Sequence, residues 1–457
     1  MTFLRSAGQF LVALIKTCRL GLPKIGVGWM FALLTVNFNR VTIGELGVAA
    51  VLITVMTGMH NFLSPFQVIF GRIADRHPLL GLRRTPYFLG SSLIASLVFL
   101  ALPSVAQALG RGEPWAFPLG LALLVVFGIC IAISGDTHHS LIAEVTSDRS
   151  RGGVMAVVWT FTILSTIATA IVIKVKMPTY TPELMQSLYN LTPFVVLGSG
   201  LLGLLGVERR LGREELAAAL ERSRTLVPPG NPLAAAWRLL SDQPPVRGFF
   251  AFVFASMLGI FLQDALLEVF GGDIFGLTPG ETASFTSTWG GAVLASMLLM
   301  GAVSTVAPVS RKTLATFGGA GTAFGLGLLT LCALLGQRAL LTPAIVVMGF
   351  STGIFNVGAL ALMLDMTLEG ATGMYMGLWG MAQAFGMGLA NVLGGALRTL
   401  LIESGAVSHQ LGYTAIFGVE TLIMLVAVAI LRGVSVDEFK GLTRADLVRT
   451  IEVSATA

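Results

Sequence analysis

About a dozen long apolar stretches constrain the fold of this chain more than any other feature of its sequence. The bilayer core needs roughly 20 apolar residues for each crossing helix. Only 12% of the residues are charged and 54% are hydrophobic, whereas soluble domains carry about 25% charged residues. The sequence therefore predicts an all-α polytopic membrane protein with about twelve transmembrane helices, and nucleic acid is not an expected partner.

The apolar stretches form two sets of six. The first set is predicted at about 23–40, 47–71, 86–108, 117–139, 152–174 and 192–208, and the second at about 246–270, 284–307, 313–336, 342–365, 374–402 and 411–432. The predicted domains are an N-terminal interfacial helix at 1–22, a six-helix half at 23–208, a cytoplasmic connector at 209–245, a second half at 246–432 and a cytoplasmic tail at 433–457.

The basic residues orient these spans. Of the 29 Lys and Arg residues, the predicted outer side holds Arg40, Arg111, Lys174, Lys176, Arg338 and Arg398. Positive residues concentrate on the cytoplasmic side of membrane proteins. Both termini are therefore predicted to be cytoplasmic.

The two halves also repeat at an offset of 221 residues. Glu144-Val145-Thr146 matches Asp365-Met366-Thr367, and Val125-Val126-Phe127-Gly128 matches Val346-Val347-Met348-Gly349. Parallel six-span repeats around a central pathway are typical of major facilitator transporters. The predicted fold is therefore a major facilitator fold of two pseudo-symmetric six-helix halves.

The loop between predicted spans 2 and 3 supports this fold. It contains Gly71-Arg72-Ile73-Ala74-Asp75-Arg76, followed by Arg83-Arg84. This order resembles the major facilitator loop pattern, in which an acid pairs with basic groups at the cytoplasmic mouth. We therefore predict gating or ion-pair roles for Asp75, Arg76, Arg83 and Arg84, the alternative being an ordinary positive-inside loop.

Four stretches narrow the family further. They are Asn39–Val48 (N-R-V-T-I-G-E-L-G-V), His60 with Pro65-Phe66, Arg83–Tyr87 (R-R-T-P-Y) and Gln263–Gly276 (Q-D-A-L-L-E-V-F-G-G-D-I-F-G). Together they resemble the bacteriochlorophyll-delivery (PucC/LhaA-like) branch of the major facilitator superfamily. Val269 stands where that branch has a proline, so the end of span 7 is expected to be less kinked.

The resemblance implies a photosynthetic assembly factor, which binds chlorophyll or bacteriochlorophyll as cargo and delivers it to light-harvesting or photosystem apoproteins. Pigment-synthesis enzymes are further candidate partners. The expected location is a cytoplasmic, intracytoplasmic or thylakoid membrane. The sequence shows no nucleotide-binding fingerprint and no nucleophile–base arrangement, so an enzyme is not expected.

Two acids in predicted span 7 need an explanation, because Asp at a helix centre costs roughly 2.5–3.5 kcal/mol on insertion scales. Asp264 and Glu268 are four residues apart, which places them on one face of a continuous helix. Proton relay, pigment liganding and structural pairing with Arg40 or another basic group all remain open. Glu268 is the preferred pigment ligand, supported by Asp264 and Gln263.

Other polar residues in the spans have competing interpretations. His60 could ligate a pigment magnesium, as could Glu268, or make an interhelical hydrogen bond. No metal site formed by protein ligands alone is predicted. His138 and His139 are expected to be a solvated interfacial pair, Arg40 with Glu45 a local ion pair or gate, and Glu420 a carboxylate that faces a partner helix.

Two other functions remain open beside pigment delivery. A proton-coupled secondary transporter would use Asp264 and Glu268 as proton carriers. A pigment-free scaffold would dock antenna helices, and its buried charges would be structural.

Overall fold

The computed structural model describes residues 14–63, 77–146, 148–210, 212, 214–215, 238–306, 309–367 and 372–440. Apart from one isolated bridge between Leu79 and Leu82, all regular structure in these ranges is helical. Eleven of the described helices are long and apolar enough to cross a membrane, and Ala50–Phe62 is a shorter apolar helix. This confirms the all-α membrane fold and is consistent with twelve spans.

The helices follow one another along the chain in this order. They are α1 (Pro23–Ala32), α2 (Ala50–Phe62), α3 (Thr85–Gly110), α4 (Ala116–Val145), α5 (Asp148–Lys176), α6 (Pro182–Tyr189), α7 (Thr192–Leu204), α8 (Pro244–Phe261), α9 (Leu267–Phe275), α10 (Pro279–Val306), α11 (Arg311–Leu335), α12 (Leu341–Asp365), α13 (Thr372–Arg398), α14 (His409–Gly433) and α15 (Val436–Lys440). Most of the predicted connector, and parts of the predicted N-terminal helix and tail, lie outside the described residues.

The sixth membrane-crossing segment begins earlier than predicted. The apolar helical segment runs over Pro182–Leu204, so the predicted start at 192 is wrong by about half a span. The Thr181 hydroxyl accepts a hydrogen bond from Leu184 N at 3.2 Å, and Pro182 occupies the first helical position. Thr181 and Pro182 are a typical N-cap and first helical residue. The polar residues that follow them lower the local hydropathy, so the predicted start came too late.

The predicted seventh span is not one continuous helix. Helix α8 ends at Phe261, α9 begins at Leu267, and residues 262–266 form turns between them. The break lies upstream of Val269, and α9 is continuous through that residue, so the expected effect of Val269 on the end of the span stays a prediction.

The first span also departs from α-helical geometry. After α1 the chain continues as two π-helical segments, Leu33–Phe38 and Arg40–Glu45. Asn37, Asn39 and Arg40 lie in or between these segments and are all buried. π-Helical turns are rare overall, but those that occur are often found at functional sites.

The described helices fall into two compact units. The first contains α1, α3 to α7 and the chain from 277 to 290, which includes the start of α10. The second contains α2, α8, α9, the rest of α10 and α11 to α15. The predicted division at 208 and 246 stays a prediction.

Glycines bring helices of the second unit into close contact. A Cβ on Gly325 of α11 would lie 2.6 Å from the backbone N and Cα of Met348 on α12. A Cβ on Gly386 of α13 would lie 2.6 Å from the Phe254 carbonyl oxygen on α8. Small residues allow this close approach, and van der Waals packing then holds helices together in lipid.

Candidate functional site

The acids of the predicted span 7 lie on different structural elements. Asp264 sits in the break between α8 and α9 and is partly exposed, whereas Glu268 lies in the first turn of α9 and is buried. The expectation that both acids share one face of a continuous helix is therefore wrong, because five turn residues interrupt the helical repeat.

The side chain of Glu420, on α14, forms a hydrogen bond with the break between α8 and α9. Its Oε1 accepts a hydrogen bond from the backbone N of Gln263 at 3.0 Å, and the side chain is fully buried. The interpretation that Glu420 faces a partner helix is therefore wrong. A helix break frees backbone donors that lipid cannot satisfy. The Glu420 carboxylate satisfies one of these donors from inside the second unit.

His60 lies in the last turn of α2. Its Nδ1 is 2.7 Å from the Thr57 carbonyl oxygen, one turn earlier. A carbonyl only accepts hydrogen bonds, so the bond places a proton on Nδ1 and, in the neutral ring, the lone pair on Nε2. The α2 residues Thr54 and Gly58 pack on Gly395 and Asn391 of α13. Helical spacing puts His60 on the other side of α2.

The second unit also holds a buried ionic network that the sequence did not single out. Arg398 Nη2 lies 2.9 Å from Asp273 Oδ2, and Arg398 Nε donates to the Tyr413 hydroxyl at 3.0 Å. The Tyr413 hydroxyl in turn donates to Asp273 Oδ2 at 2.7 Å. The network joins α9, α13 and α14, so it links the element after the break to two other helices.

Glu403 extends this network to α2. Its carboxylate pairs with Arg398 and accepts hydrogen bonds from Ala50 N at 3.0 and 3.3 Å. The Thr399 hydroxyl accepts from Val51 N at 3.1 Å. Negative charge and acceptors stabilise the exposed N–H groups at a helix N-terminus. The helix that carries His60 is therefore positioned from its first turn by the ionic network.

Arg40 lies in the first unit and is 4% exposed. Its Nη2 lies 2.9 Å from Glu45 Oε1 and donates to the Leu277 carbonyl oxygen at 2.9 Å. The guanidinium thus holds the end of the first span to the chain after α9. Whether this pair acts as a gate stays a prediction.

Arg83 and Arg84 form ion pairs at the start of α3, whereas Asp75 and Arg76 lie outside the described residues. Glu144 Oε1 of α4 is 3.1 Å from Arg83 Nη2 and 2.9 Å from Arg84 Nη2. In the second unit Asp365, which matches Glu144 in the repeat, pairs with Arg311 at the start of α11. The two halves thus use the same acid–arginine contact.

Glu208 caps the N-terminus of α3. Its Oε1 accepts from Arg83 N at 2.6 Å and Arg84 N at 3.0 Å, and its Oε2 accepts from Thr85 N at 2.7 Å.

We expect Glu208→Ala to lower the free energy of unfolding by about 1–2 kcal/mol, because three amide donors lose their acceptor. Denaturant titration in detergent measures the change. Glu215→Ala, which removes an exposed surface pair with Arg209, should be nearly neutral; equal effects of the two variants would contradict the capping role.

His138 is not a solvated interfacial residue. It is 1% exposed, its Nε2 lies 2.9 Å from the Leu20 carbonyl oxygen, and its ring packs 5.7 Å from that of Phe88. His139 follows it, with ring centroids 6.1 Å apart. Within the described ranges, no group of three or more His, Cys, Asp or Glu residues is placed to hold a metal ion.

Sequence reasoning missed the network residues because each looked ordinary by itself. Asp273 lies inside the quoted Gln263–Gly276 stretch, and Arg398 was counted only as an outer basic residue. Ionisable residues within spans usually pair with one another. The available signal was the presence in the sequence of an acid and a base that could form an ion pair.

Comparisons with solved structures agree with this architecture. The chain resembles the nucleoside transporter NupG with a TM-score of 0.66 at 13% identity, over 91% of this chain and 98% of that one. A POT family transporter in complex with a thioalcohol-conjugated peptide has the same TM-score at 12% identity, over 92% and 96% of the two chains. At this identity the likeness shows the fold alone, which is the major facilitator fold.

Sequence relatives come from photosynthetic bacteria. A Rhodobacter capsulatus protein named "Bacteriochlorophyll synthase 44.5 kDa chain" is 30% identical over 434 residues, covering 92% of this chain and 95% of that protein. Protein PucC of Rhodobacter capsulatus is 27% identical over 438 residues, covering 92% of both. The model of the PUCC protein family matches residues 37–439. This chain therefore belongs to the PUCC protein family, as an integral membrane protein with a major facilitator fold.

Proposed function

We propose that this protein is a non-enzymatic assembly factor that binds a chlorophyll-type pigment and hands it to light-harvesting or reaction-centre apoproteins. Membership of the PUCC family and relatives with bacteriochlorophyll-related names support the link to photosynthesis. The pigment is cargo here, and apoproteins and pigment-synthesis enzymes are the proposed partners. Both termini are proposed to be cytoplasmic.

The geometry of His60 carries this proposal. Metal-ligating histidines usually donate their other ring N–H to a carbonyl or carboxylate, which fixes the tautomer and the ring orientation. The Nδ1···Thr57 oxygen contact of 2.7 Å is such a bond. In this tautomer Nε2 is the ring nitrogen that would coordinate the pigment magnesium.

The helix around His60 is suited to hold that ring still. Glu403 and Thr399 cap the first turn of α2. Gly388 of α13 packs against the Phe62 ring, from which a Cβ on the glycine would lie 2.8 Å away. A ligand on a rigid element binds without first losing conformational entropy. Glu268, which is buried in α9, is the second proposed ligand, with Asp264 and Gln263 beside it.

The test compares bound pigment in single variants. The protein is purified gently from its photosynthetic membrane, and pigment is measured by absorption and by the resonance Raman signature of magnesium coordination. We expect His60→Ala to lose most of the pigment, and added imidazole to restore part of it. His409→Ala, at the exposed start of α14, should keep the pigment. Full pigment in a well-folded His60→Ala protein would overturn His60 as the ligand.

Other outcomes point to the other functions. Antenna polypeptides that co-purify without pigment would favour the scaffold. The break in the seventh span, with Asp264 inside it and the Glu420 carboxylate bonded to it, favours proton-coupled transport as the second candidate. Reconstituted vesicles with proton-linked solute uptake that is lost in Asp264→Asn, and no pigment in the native preparation, would replace pigment delivery with transport.

A further inference from the structure

A basic and aromatic cluster in the first unit has no role in the pigment site described above. It consists of Lys24 on α1, His138 and His139 on α4, and Trp159 on α5. Lys24 Nζ lies 5.5 Å from the centroid of the Trp159 ring. His138 Nε2 lies 2.9 Å from the carbonyl oxygen of Leu20, four residues before Lys24, and His139 follows His138 on α4. The cluster is held together by three helices of the same unit.

Packing between α1 and α5 holds Lys24 against the indole. A Cβ on Gly21 would lie 2.7 Å from the Phe161 ring, and one on Gly28 would lie 2.7 Å from the Thr162 carbonyl oxygen. Gly21 lies three residues before Lys24, just ahead of α1, and Gly28 lies four residues after it, on the same face of α1. The Ser165 hydroxyl also donates to the Ile25 carbonyl oxygen at 2.6 Å. The backbone on both sides of Lys24 is therefore held against α5.

The polar groups of the cluster are incompletely paired. Lys24 is 7% exposed, and it has no ion pair among the described residues. His138 Nε2 bonds to the Leu20 carbonyl oxygen, whereas His138 Nδ1 and His139 Nε2 are buried without a hydrogen-bond partner in the described parts of the chain. A cation–π contact offsets only about 0.5–2 kcal/mol, while a buried unpaired charge costs several kcal/mol. A bound anion would supply the partner that the Lys24 ammonium lacks among the described residues.

The shape and charge of the cluster define the class of that anion. The Trp159 ring is 49% exposed and presents an aromatic face next to the ammonium. A single lysine with two imidazoles matches one negative charge, whereas phosphate sites favour arginine forks or several basic groups. We propose that this cluster binds the free carboxylate of a planar aromatic molecule, with Lys24 as the counter-charge and Trp159 as the stacking face.

If the aromatic carboxylate is a pigment, this site adds to the proposed pigment-binding function and rests on it. A tetrapyrrole with a free propionate has both required features, whereas its esterified form lacks the charge. The protein would then distinguish the free acid from the ester at Lys24. For aromatic carboxylates in general, the inference stands without the pigment.

The test therefore uses a probe that is not a pigment. Binding of 1-pyrenebutyric acid and of its methyl ester is measured by equilibrium dialysis, with the full chain in nanodiscs of zwitterionic lipid. We expect the wild type to prefer the acid by at least about tenfold, the lower end for a hydrogen bond to a charged group. Lys24→Gln should abolish this preference, and Lys24→Arg should retain part of it. Lys174→Gln, an exposed lysine of α5, should bind both probes as the wild type does.

The outcomes separate this inference from pigment delivery. Equal binding of acid and ester, or an unchanged preference in a monodisperse Lys24→Gln protein, would overturn the carboxylate site, even if His60-dependent pigment binding holds. A preference that disappears when phosphatidylglycerol is added to the nanodiscs would assign the cluster to an anionic lipid headgroup, and would also overturn it. A preference for the acid in a protein that binds no pigment would support the carboxylate site and exclude a pigment as its ligand.

Discussion

Replacing Arg398 by methionine is expected to lower the free energy of unfolding by about 3–5 kcal/mol, the usual cost of removing one partner of a buried ion pair. Arg398 is 6% exposed and bonds to Asp273, Tyr413 and Glu403. Without the guanidinium, the partly buried carboxylate of Asp273 faces no cation. The variant should also lose the order of the first turn of α2, because Glu403 holds that turn.

Titration of the purified protein with a denaturing detergent, followed by circular dichroism, measures this loss. Arg111→Met is the matched control, since Arg111 is exposed and its one ion pair with a described residue is to nearby Glu113 at 2.6 Å. An exposed pair of this kind contributes about 0–1 kcal/mol. If Arg398→Met cost no more than Arg111→Met, the network would not stabilise the second unit.

A double variant separates the lost interaction from the stranded charge. Asp273→Asn removes the negative charge that Arg398 balances, so Arg398→Met combined with Asp273→Asn should cost less than the sum of the two single changes. Additive costs would show that the two side chains stabilise the unit independently.

Substituting Gly325 with alanine is expected to lower the free energy of unfolding by about 1–3 kcal/mol, the typical cost of overpacking. The added methyl would lie 2.6 Å from the N and Cα atoms of Met348, and backbone atoms cannot rotate away as a side chain can. Helices α11 and α12 would have to separate along their contact. Gly325→Leu should enlarge the effect and lower the yield of monodisperse protein.

Gly327 provides the control for this prediction. It lies two residues further along α11, and no heavy atom would stand within 4 Å of an added Cβ there. Gly327→Ala should be neutral or slightly stabilising, because alanine is the better helix former. Both variants are compared by the same detergent titration. A Gly325→Ala protein as stable as Gly327→Ala would show that the two helices do not depend on this close contact.

Much of the fold could be predicted from the sequence because the bilayer imposes simple rules. Apolar length predicted the spans, and the 221-residue offset between Glu144 and Asp365 predicted the repeat. In the structure, each of these two acids forms an ion pair with an arginine of its own unit. The span boundaries were predicted less accurately, as the early start at Pro182 shows, because caps and polar side chains within a span lower its mean hydropathy.

The candidate site could be predicted only in part. The motif around Gln263 drew attention to the correct stretch, but helical spacing assumed a continuous helix where the chain breaks. The bond from Gln263 N to Glu420 links residues 157 positions apart. No local pattern encodes such a contact, and the same holds for Asp273 with Arg398, separated by 125 positions.

Hydropathy and charge asymmetry are summed over many residues and tolerate local exceptions, so they are sufficient to predict an all-helical membrane protein with repeated halves. The three-dimensional structure was needed to show which buried charges meet and that Lys24 lies over Trp159. Each of those facts depends on a few ångströms of side-chain placement between helices. Such distances follow from glycine contacts, helix breaks and caps that act together in the folded chain.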